Sequence, residues 1–245
     1  GEEEAALALN QAGTFLYLSG RIKEGLRLLQ DSAAKRPGLV NSLLKVAGLY
    51  CDMDEKEEAL AWFDRALGAS DSPDIYLHRA QLYLMKNENR LAANDLRRCE
   101  ARHEAGPGGE EGVPALVRAT LGIACFKMDM GSPLRLRQIE RAHRLHPDNV
   151  EVLLFYGEML TQVGDFKKAL ALFRRAAEVS PRCPLPFVNA GRAYLSLNDH
   201  AAARAHFARA LAVDPLCSAA YLDLGQLLLN RAAARQGGGG GGGGG

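Results

Sequence analysis

The chain has 245 residues, and its 30 lysine and arginine residues nearly balance its 29 aspartate and glutamate residues, for a net charge of +1. This balance argues against binding of nucleic acid or acidic membranes through bulk charge. Apolar residues make up 47% and charged residues 24%, an ordinary globular mixture, and no stretch of about 18 uncharged apolar residues could span a bilayer. We therefore expect no nucleic-acid partner and no direct insertion of this chain into a membrane.

One fixed spacing separates several pairs of identical residues in the second half of the chain. The pairs with this spacing are Gly157 and Gly191, Ala169 and Ala203, Phe173 and Phe207, Ala176 and Ala210, Pro181 and Pro215, and Cys183 and Cys217. Small residues let two helices approach closely, aromatic residues fill the space between helix pairs, and a proline cannot continue a helix. The pattern predicts a helix–turn–helix unit that is repeated along the chain.

Weaker copies of the same pattern precede these two units. Their small landmark residues are Gly13, Ala47, Ala80 and Gly122, and Gly225 marks a single helix after the last unit. The pattern resembles the tetratricopeptide repeat, whose unit has this same length of about 34 residues. The resemblance implies an all-α fold, a right-handed superhelix or α-solenoid of about six repeats plus a terminal helix. A pentatricopeptide array would instead need a slightly longer period and a basic surface.

One irregularity interrupts the repeats. Between the landmarks Cys99 and Leu121 the spacing expands, and the extra residues are rich in glycine with one proline, which is typical of a loop. We therefore predict repeats 1–3 in residues 1–104, a flexible insertion in residues 105–113, repeats 4–6 with the terminal helix in residues 114–236, and a disordered glycine tail in residues 237–245.

No residue pattern in the chain indicates catalysis or metal binding. The cysteines are Cys51, Cys99, Cys125, Cys183 and Cys217, and no two of them have CxxC spacing. They are interpreted as reduced, small apolar residues. His143 and His146 form an isolated HxxH without a further ligand nearby, and no Ser/His/Asp or Cys/His arrangement is evident. We predict a protein that is not an enzyme and has no cofactor and no metal site.

The first helix of each repeat lines the concave groove of such an array, so functional residues are sought there. The landmark Gly or Ala sets the helix phase, and the residue after it and those one turn to either side are predicted to face the groove. The predicted peptide-binding residues are Leu77, Gln81, Leu84, Phe126, Leu154, Glu158, Asn189, Arg192, Leu222 and Gln226. In the first repeat the rule gives Asn10, Thr14 and Tyr17. The alternative is that several of the aliphatic side chains pack in the core.

A groove of mixed apolar and polar character suits an extended or amphipathic peptide. The clamp that grips acidic chaperone tails needs Lys and Asn in one first helix, Asn in the next, and Lys with Arg in the third. Asn10 and Thr14 occupy the first two places here, and the later repeats do not restore the pattern. These repeats are not expected to clamp chaperone tails.

Three segments resemble the large tetratricopeptide receptors of the mitochondrial outer-membrane translocase. They are GTFLYLSG at residues 13–20, SPDIYLHRAQLY at residues 72–83 and EVLLFYGEMLTQVGDF at residues 151–166. The resemblance covers about residues 7–231 and is to the C-terminal, precursor-binding half of these receptors. It implies binding of mitochondrial precursor proteins at the cytosolic face of the outer membrane, with the anchor outside this chain. Other translocase subunits and heat-shock chaperones would be bound through regions that are absent here.

The sequence leaves a second function open. A tetratricopeptide array can also act as a scaffold that joins subunits of an intracellular assembly, such as a ciliary transport, cell-cycle or co-chaperone complex. The scaffold hypothesis predicts a cytoplasmic location.

Overall fold

The computed structural model describes residues 1–128 and 136–237, with side chains as far as Asn230 in the last helix. These residues form thirteen α-helices and one 3-10 helix, η1, and contain no strand, which confirms the all-α fold class. The helices are α1 (Glu2–Leu18), α2 (Ile22–Lys35), α3 (Val40–Asp52), α4 (Lys56–Ala69), α5 (Pro73–Met85), α6 (Asn89–Glu104), η1 (Gly109–Gly112), α7 (Ala115–Met128), α8 (Arg137–Leu145), α9 (Val150–Gln162), α10 (Phe166–Val179), α11 (Leu185–Ser196), α12 (His200–Val213) and α13 (Ser218–Gly237). The remainder of the predicted glycine tail lies outside the described residues.

The chain divides into two compact units, Gly1–Met128 and Asp129–Gly245. The first contains α1–α7, and the described part of the second contains α8–α13. The division follows α7, whereas the predicted division lay at the insertion, residues 105–113. Helix α7 belongs to the first unit because it packs on α6, and its Val117 is buried in the same apolar cluster as Leu96 of α6. The fourth predicted repeat therefore contributes one helix to each unit.

Consecutive helices pair into hairpins within each unit. The pairs are α1 with α2, α3 with α4 and α5 with α6 in the first unit, and α9 with α10 and α11 with α12 in the second. Each second helix also contacts the first helix of the following repeat. Because one helix pair cannot bury its apolar face alone, this stacking builds the core of each unit.

A common apolar face on the second helices explains the pairing. Five of them, α2, α4, α6, α10 and α12, bury one large residue at the centre, with small residues four positions before and three positions after it. The central residues are Leu29, Phe63, Leu96, Phe173 and Phe207, and none is more than 2% exposed. Positions four before and three after lie on the same face of an α-helix, so this face meets the first helix along its length.

A residue with positive φ links the two helices of five repeats. These residues are Gly20, Asp54, Asn87, Gly164 and Asn198, with φ between 58° and 86°. Within each unit they recur at the repeat period to within a single position. Glycine adopts this left-handed conformation without steric cost, and Asn and Asp tolerate it better than other residues. The turn geometry therefore repeats together with the helices.

The predicted insertion is anchored to α7. It contains η1, and the following Val113 is only 1% exposed. The guanidinium of Arg118, which is buried, donates a hydrogen bond to the carbonyl oxygen of Glu110, and its Nε lies 3.4 Å from the Glu100 carboxylate. One side chain of α7 thus contacts both α6 and the insertion.

Candidate functional site

Polar side chains on successive first helices contact one another at a constant sequence interval. The described residues form three such pairs, named here the ladder pairs: Lys45 to Thr14 (2.7 Å), Asn189 to Glu158 (2.7 Å) and Arg192 to Asp223 (2.6 Å), with the donor first. The interval is slightly shorter than the repeat. It arises because the residue just after the small landmark of one helix meets the residue two before the landmark of the next helix.

In the first unit, the ladder pair presents a cation. Lys45 Nζ donates both to Thr14 Oγ1 and to Asn10 Oδ1, the latter at 2.9 Å. Asn10 is held in turn by its own Nδ2, which donates to Ser42 Oγ at 2.6 Å. Burial lowers the pKa of Lys45. No carboxylate of the described chain forms an ion pair with Lys45, so its charge is available to a ligand.

A pocket of about 360 Å³ lies beside this ladder pair, between α1, α3 and α5. Its polar and rim residues are Thr14, Tyr17, Leu18, Lys45, Gly48, Asp52, His78, Gln81 and Met85. The buried side chains of Leu29, Leu49, Phe63 and Leu82 form its apolar floor. Tyr17 donates a hydrogen bond to Asp52 Oδ2 at 2.6 Å, and this contact raises the pKa of Tyr17. Three successive first helices thus supply one open, largely apolar pocket with polar groups at its edge.

In the second unit, two ladder pairs follow one another across α9, α11 and α13. The Arg192 guanidinium is matched by the Asp223 carboxylate at 2.6 Å. Glu158 receives only the neutral amide of Asn189, itself 5% exposed. Burial raises the pKa of Glu158, and the Asn189 hydrogen bond and the charge of Arg192 oppose that rise only in part.

A second pocket, of about 730 Å³, adjoins Asp223 between α11, α12 and α13. Leu195 and Gln226 line it, and Gln226 Nε2 donates to Asn230 Oδ1 at 2.8 Å. Leu222, on the same helix, is 72% exposed. The predicted residues of α13 are therefore accessible to a partner.

Other predicted residues lie in the interior. Phe126 and Leu154 are 4% and 7% exposed, and Leu77 and Leu84 are partly buried against the apolar cluster of α5–α7. In this structure these four side chains stabilise the units and do not line an open groove. The residue one turn before the landmark is turned toward the neighbouring helices, and it is covered wherever a further helix packs on it, as at Leu154.

The phase rule missed Lys45 and Asp223, the partners in two of the three ladder pairs, and the pocket residue His78, whereas the third partner, Asn189, was among the predicted residues. Lys45, His78 and Asp223 all lie two residues before a landmark, a position that the rule does not include. The signal was present in the sequence, since polar residues recur at this place in several repeats. Without the contact between neighbouring first helices, however, nothing indicated that this position faces the same surface.

The described residues carry no other arrangement of chemical interest. They contain no group of three His, Cys, Asp or Glu side chains that could hold a metal ion. His143, from the HxxH, packs instead against the ring of Tyr156, with 5.6 Å between ring centroids. None of the helices in this part of the chain is long and apolar enough to cross a membrane.

Comparison with protein families accounts for the repeating geometry. The model of the tetratricopeptide repeat matches residues 136–184 and 188–234. These segments are tetratricopeptide repeats. They include α9–α12, so the hairpins and ladder pairs of the second unit belong to this repeat type, which acts as a scaffold for protein interactions.

Two curated relatives are similar in sequence. The mitochondrial import receptor subunit TOM70 of Saccharomyces cerevisiae is 26% identical over 186 residues, which is 73% of this chain and 27% of TOM70. The CTR9 homologue of Arabidopsis thaliana is 36% identical over 63 residues, 26% of this chain and 6% of that protein. The chain therefore spans about a quarter or less of the length of these relatives.

Two solved structures share the fold. Yeast Tom70 matches 94% of this chain and 47% of its own, with a TM-score of 0.69 and 21% identity. Cut9, in the Cut9–Hcn1 hetero-tetramer of the APC/C, matches 92% of this chain and 43% of the matched chain, with a TM-score of 0.67 and 17% identity. Both show the tetratricopeptide architecture.

Proposed function

We propose that this chain is a non-enzymatic receptor module that binds segments of mitochondrial precursor proteins on the faces formed by its first helices. The observation that carries the proposal is the pocket of about 360 Å³ to which α1, α3 and α5 all contribute. It combines a buried apolar floor with polar groups at the edge, among them the ammonium of Lys45, which lacks an ion-pair partner among the described residues. Such a surface accepts an apolar side chain and orients the peptide backbone beside it.

The choice of precursor proteins as partners is supported by sequence. The similarity to TOM70 extends over 73% of the chain, and the segments at residues 13–20, 72–83 and 151–166 resemble the import receptors. On this proposal the module acts at the cytosolic face of the mitochondrial outer membrane. Binding is weak and tolerant of sequence, because ordering a flexible peptide offsets much of the contact energy.

Gly48 offers a way to close the pocket without disturbing the fold. It lines the pocket on α3, and a Cβ at this position meets no atom within 4 Å. Gly48→Leu should place an isobutyl group in the pocket and also strengthen the helix, since leucine is a far better helix former than glycine. Gly68→Leu is the matched control, because Gly68 lies exposed on the second helix α4 and is equally free of neighbours.

The test is a peptide array of carrier-type precursors, probed with the full chain and with both variants. We expect precursor segments to bind more tightly than scrambled peptides of the same composition, with binding reduced several-fold by Gly48→Leu and unchanged by Gly68→Leu. Equal binding of precursor and scrambled peptides would refute the choice of partner. Unchanged binding by Gly48→Leu would refute the pocket.

The scaffold function is favoured by a different observation. On α13, Tyr221, Leu222 and Leu229 are each more than half exposed, as expected of a face that packs permanently against another protein. The two functions differ in lifetime, because a scaffold forms complexes that survive gel filtration, whereas a receptor for unfolded segments releases them. Co-purification of a stable, stoichiometric partner from cytosol would favour the scaffold.

A further inference from the structure

Among the charged members of the ladder pairs in the second unit, Glu158 alone has no opposite charge in its pair. Arg192 and Asp223 neutralise each other across α11 and α13. Glu158 accepts a hydrogen bond from the Asn189 amide and forms no ion pair with any described residue. Removing a carboxylate from water without a paired cation is costly, and the Asn189 hydrogen bond and the more distant charge of Arg192 offset this cost for Glu158 only in part.

We infer that Glu158 and Asn189 form a subsite for a cationic side chain, lysine or arginine, of a peptide bound on the first-helix face of the second unit. The inference rests on the proposed function, since it names a feature of the segments that this module binds. It assigns the ligand class by charge complementarity, because the subsite offers a carboxylate without an ion-pair partner among the described residues, beside a buried amide.

The geometry leaves the subsite open. Asn189 Nδ2 donates a hydrogen bond to Glu158 Oε1 at 2.7 Å. The other carboxylate oxygen, Oε2, has no hydrogen-bond partner among the described side chains. Asn189 is 5% exposed, so burial restricts the amide that donates to Oε1. Arg192 forms its ion pair with Asp223, to which its Nε donates at 2.6 Å, and makes no hydrogen bond to Glu158 in this structure. An incoming ammonium or guanidinium group can donate to Oε2 with every existing contact kept.

The pairing of Arg192 with Asp223 indicates how such a cation would be held. There, a guanidinium and a carboxylate meet between successive first helices and remain in contact with solvent. A ligand cation at Glu158 reproduces the same type of charge-assisted contact one helix earlier, with the cation supplied by the peptide. An acidic peptide side chain at this place would face two carboxylates, those of Glu158 and Asp223, and only one guanidinium.

The experiment compares three amphipathic peptides of about 18 residues, or five helical turns. They share an apolar face of leucine and alanine and carry lysine, glutamine or glutamate on the polar face. Binding to the full chain is measured by fluorescence anisotropy. We expect the lysine peptide to bind about tenfold more tightly than the glutamine peptide, and the glutamate peptide to bind least tightly.

Glu158→Gln keeps the shape and the hydrogen bond from Asn189 while it removes the charge, and it should abolish the preference for lysine. Glu178→Gln is the matched control, because it removes an exposed acidic charge of the same unit from the second helix α10. Asn189→Lys places an internal cation beside Glu158 and should weaken binding of the lysine peptide while leaving the glutamine peptide unaffected. Hydrogen exchange of α9 and α11 verifies that each variant is folded.

The possible outcomes separate the two proposals. A preference for lysine that persists in Glu158→Gln, or that Glu178→Gln removes equally, overturns the subsite. Equal binding of the lysine and glutamine peptides by the unaltered chain also overturns the subsite, while peptide binding itself stands. Absence of binding by all three peptides overturns both the subsite and the proposed function.

Discussion

The ring of Phe173 on α10 packs directly against the backbone of Gly157 on α9, the other helix of the same hairpin. A Cβ placed on Gly157 would lie only 2.4 Å from Cε1 of this ring. The next repeat contains the same relationship, since a Cβ on Gly191 would lie 2.5 Å from Cε1 of Phe207. The glycine landmark and the aromatic landmark are thus two halves of one contact, which sets the distance between the helices of a hairpin.

Gly157→Ala should therefore destabilise the α9–α10 hairpin. The added methyl group forces the Phe173 ring out of its place, at a cost of about 1–3 kcal/mol. The better helix propensity of alanine returns at most about 1 kcal/mol. Hydrogen exchange measured by mass spectrometry should show faster exchange in peptides from α9 and α10.

The control for this prediction is Gly225→Ala. Gly225 occupies the equivalent place in α13, yet a Cβ there meets nothing within 4 Å. The same substitution should leave exchange unchanged or slow it slightly, because only the gain in helix propensity remains. Equal acceleration by Gly157→Ala and Gly225→Ala would show that the ring contact does not determine the hairpin spacing.

Sequence predicted both members of the hairpin contact, because both are restricted in size, but it placed the aromatic residue between helix pairs, whereas its ring packs inside the hairpin. Gly157 and Phe173 recur one repeat later as Gly191 and Phe207, and so they are visible as a pattern. The left-handed turn residues recur at the same period, but their identity varies between Gly, Asp and Asn. Residue type alone therefore does not predict these turn positions, because they share a backbone conformation and differ in side chain.

The candidate site was predicted only in part, for a related reason. Helix phase predicted a place for Glu158 and Arg192 on the first-helix face, since phase depends on a single helix. It did not indicate that Glu158 would meet Asn189 and that Arg192 would meet Asp223, because these contacts depend on the offset between neighbouring repeats. That offset is set by the packing of whole helices, so it cannot be predicted from the sequence of a single helix.

In the first unit, Arg79 of α5 and Asp95 of α6 form a buried ion pair. Nε and Nη2 of Arg79 bind the two carboxylate oxygens at 2.7 and 2.9 Å, and the side chains are 13% and 6% exposed. Burial alone would lower the pKa of Arg79, but the hydrogen bonds and charge of Asp95 outweigh it, so the pKa is raised. Asp95→Asn leaves the Arg79 guanidinium with only the exposed carboxylate of Asp64 as an ion-pair partner, and we expect a loss of about 3 kcal/mol in the free energy of unfolding.

Urea unfolding followed by the fluorescence of Trp62 measures this effect, because the single tryptophan lies on α4 of the same unit. Asp64→Asn is the control. Asp64 also binds Arg79, at 2.5 Å, but its side chain is 66% exposed, so its loss should cost at most about 1 kcal/mol. Similar losses for the two variants would contradict the view that burial makes the Asp95 contact the stronger one.

Two partly buried histidines of the second unit should make its stability depend on pH. His143 and His206 pack against Tyr156 and Tyr194, and each has a buried Nδ1 without a hydrogen-bond partner. Burial lowers the pKa of both below the ordinary value of 6.5. Asp148 opposes the effect at His143, and Arg209 adds to it at His206.

The sign of the effect follows from proton binding. As the pH falls below about 6.5, the unfolded chain binds protons at these histidines before the folded chain does. The stability that the neutral rings contribute is therefore complete above that pH and is lost below it. We expect hydrogen exchange of α8, α9, α11 and α12 to accelerate between pH 6.5 and 5 relative to its intrinsic rate. The double variant His143→Phe with His206→Phe keeps the ring contacts and should remove this acceleration; an unchanged acceleration would assign it to other groups.

The five cysteines are free and differ in burial. We therefore expect them to react with iodoacetamide at different rates. Cys99 is fully buried on α6, and burial, aided by the charges of Asp74 and Glu100, raises its pKa to about 12. At pH 8 only about one Cys99 side chain in ten thousand is then a thiolate, the reactive form. Cys183 lies half-buried at the end of the α10–α11 turn and should be labelled first, with Cys99 protected until α6 opens. Peptide mass spectrometry after timed labelling gives the order directly. In denaturing urea both should react at one rate, and equal rates in the folded chain would contradict the buried position of Cys99.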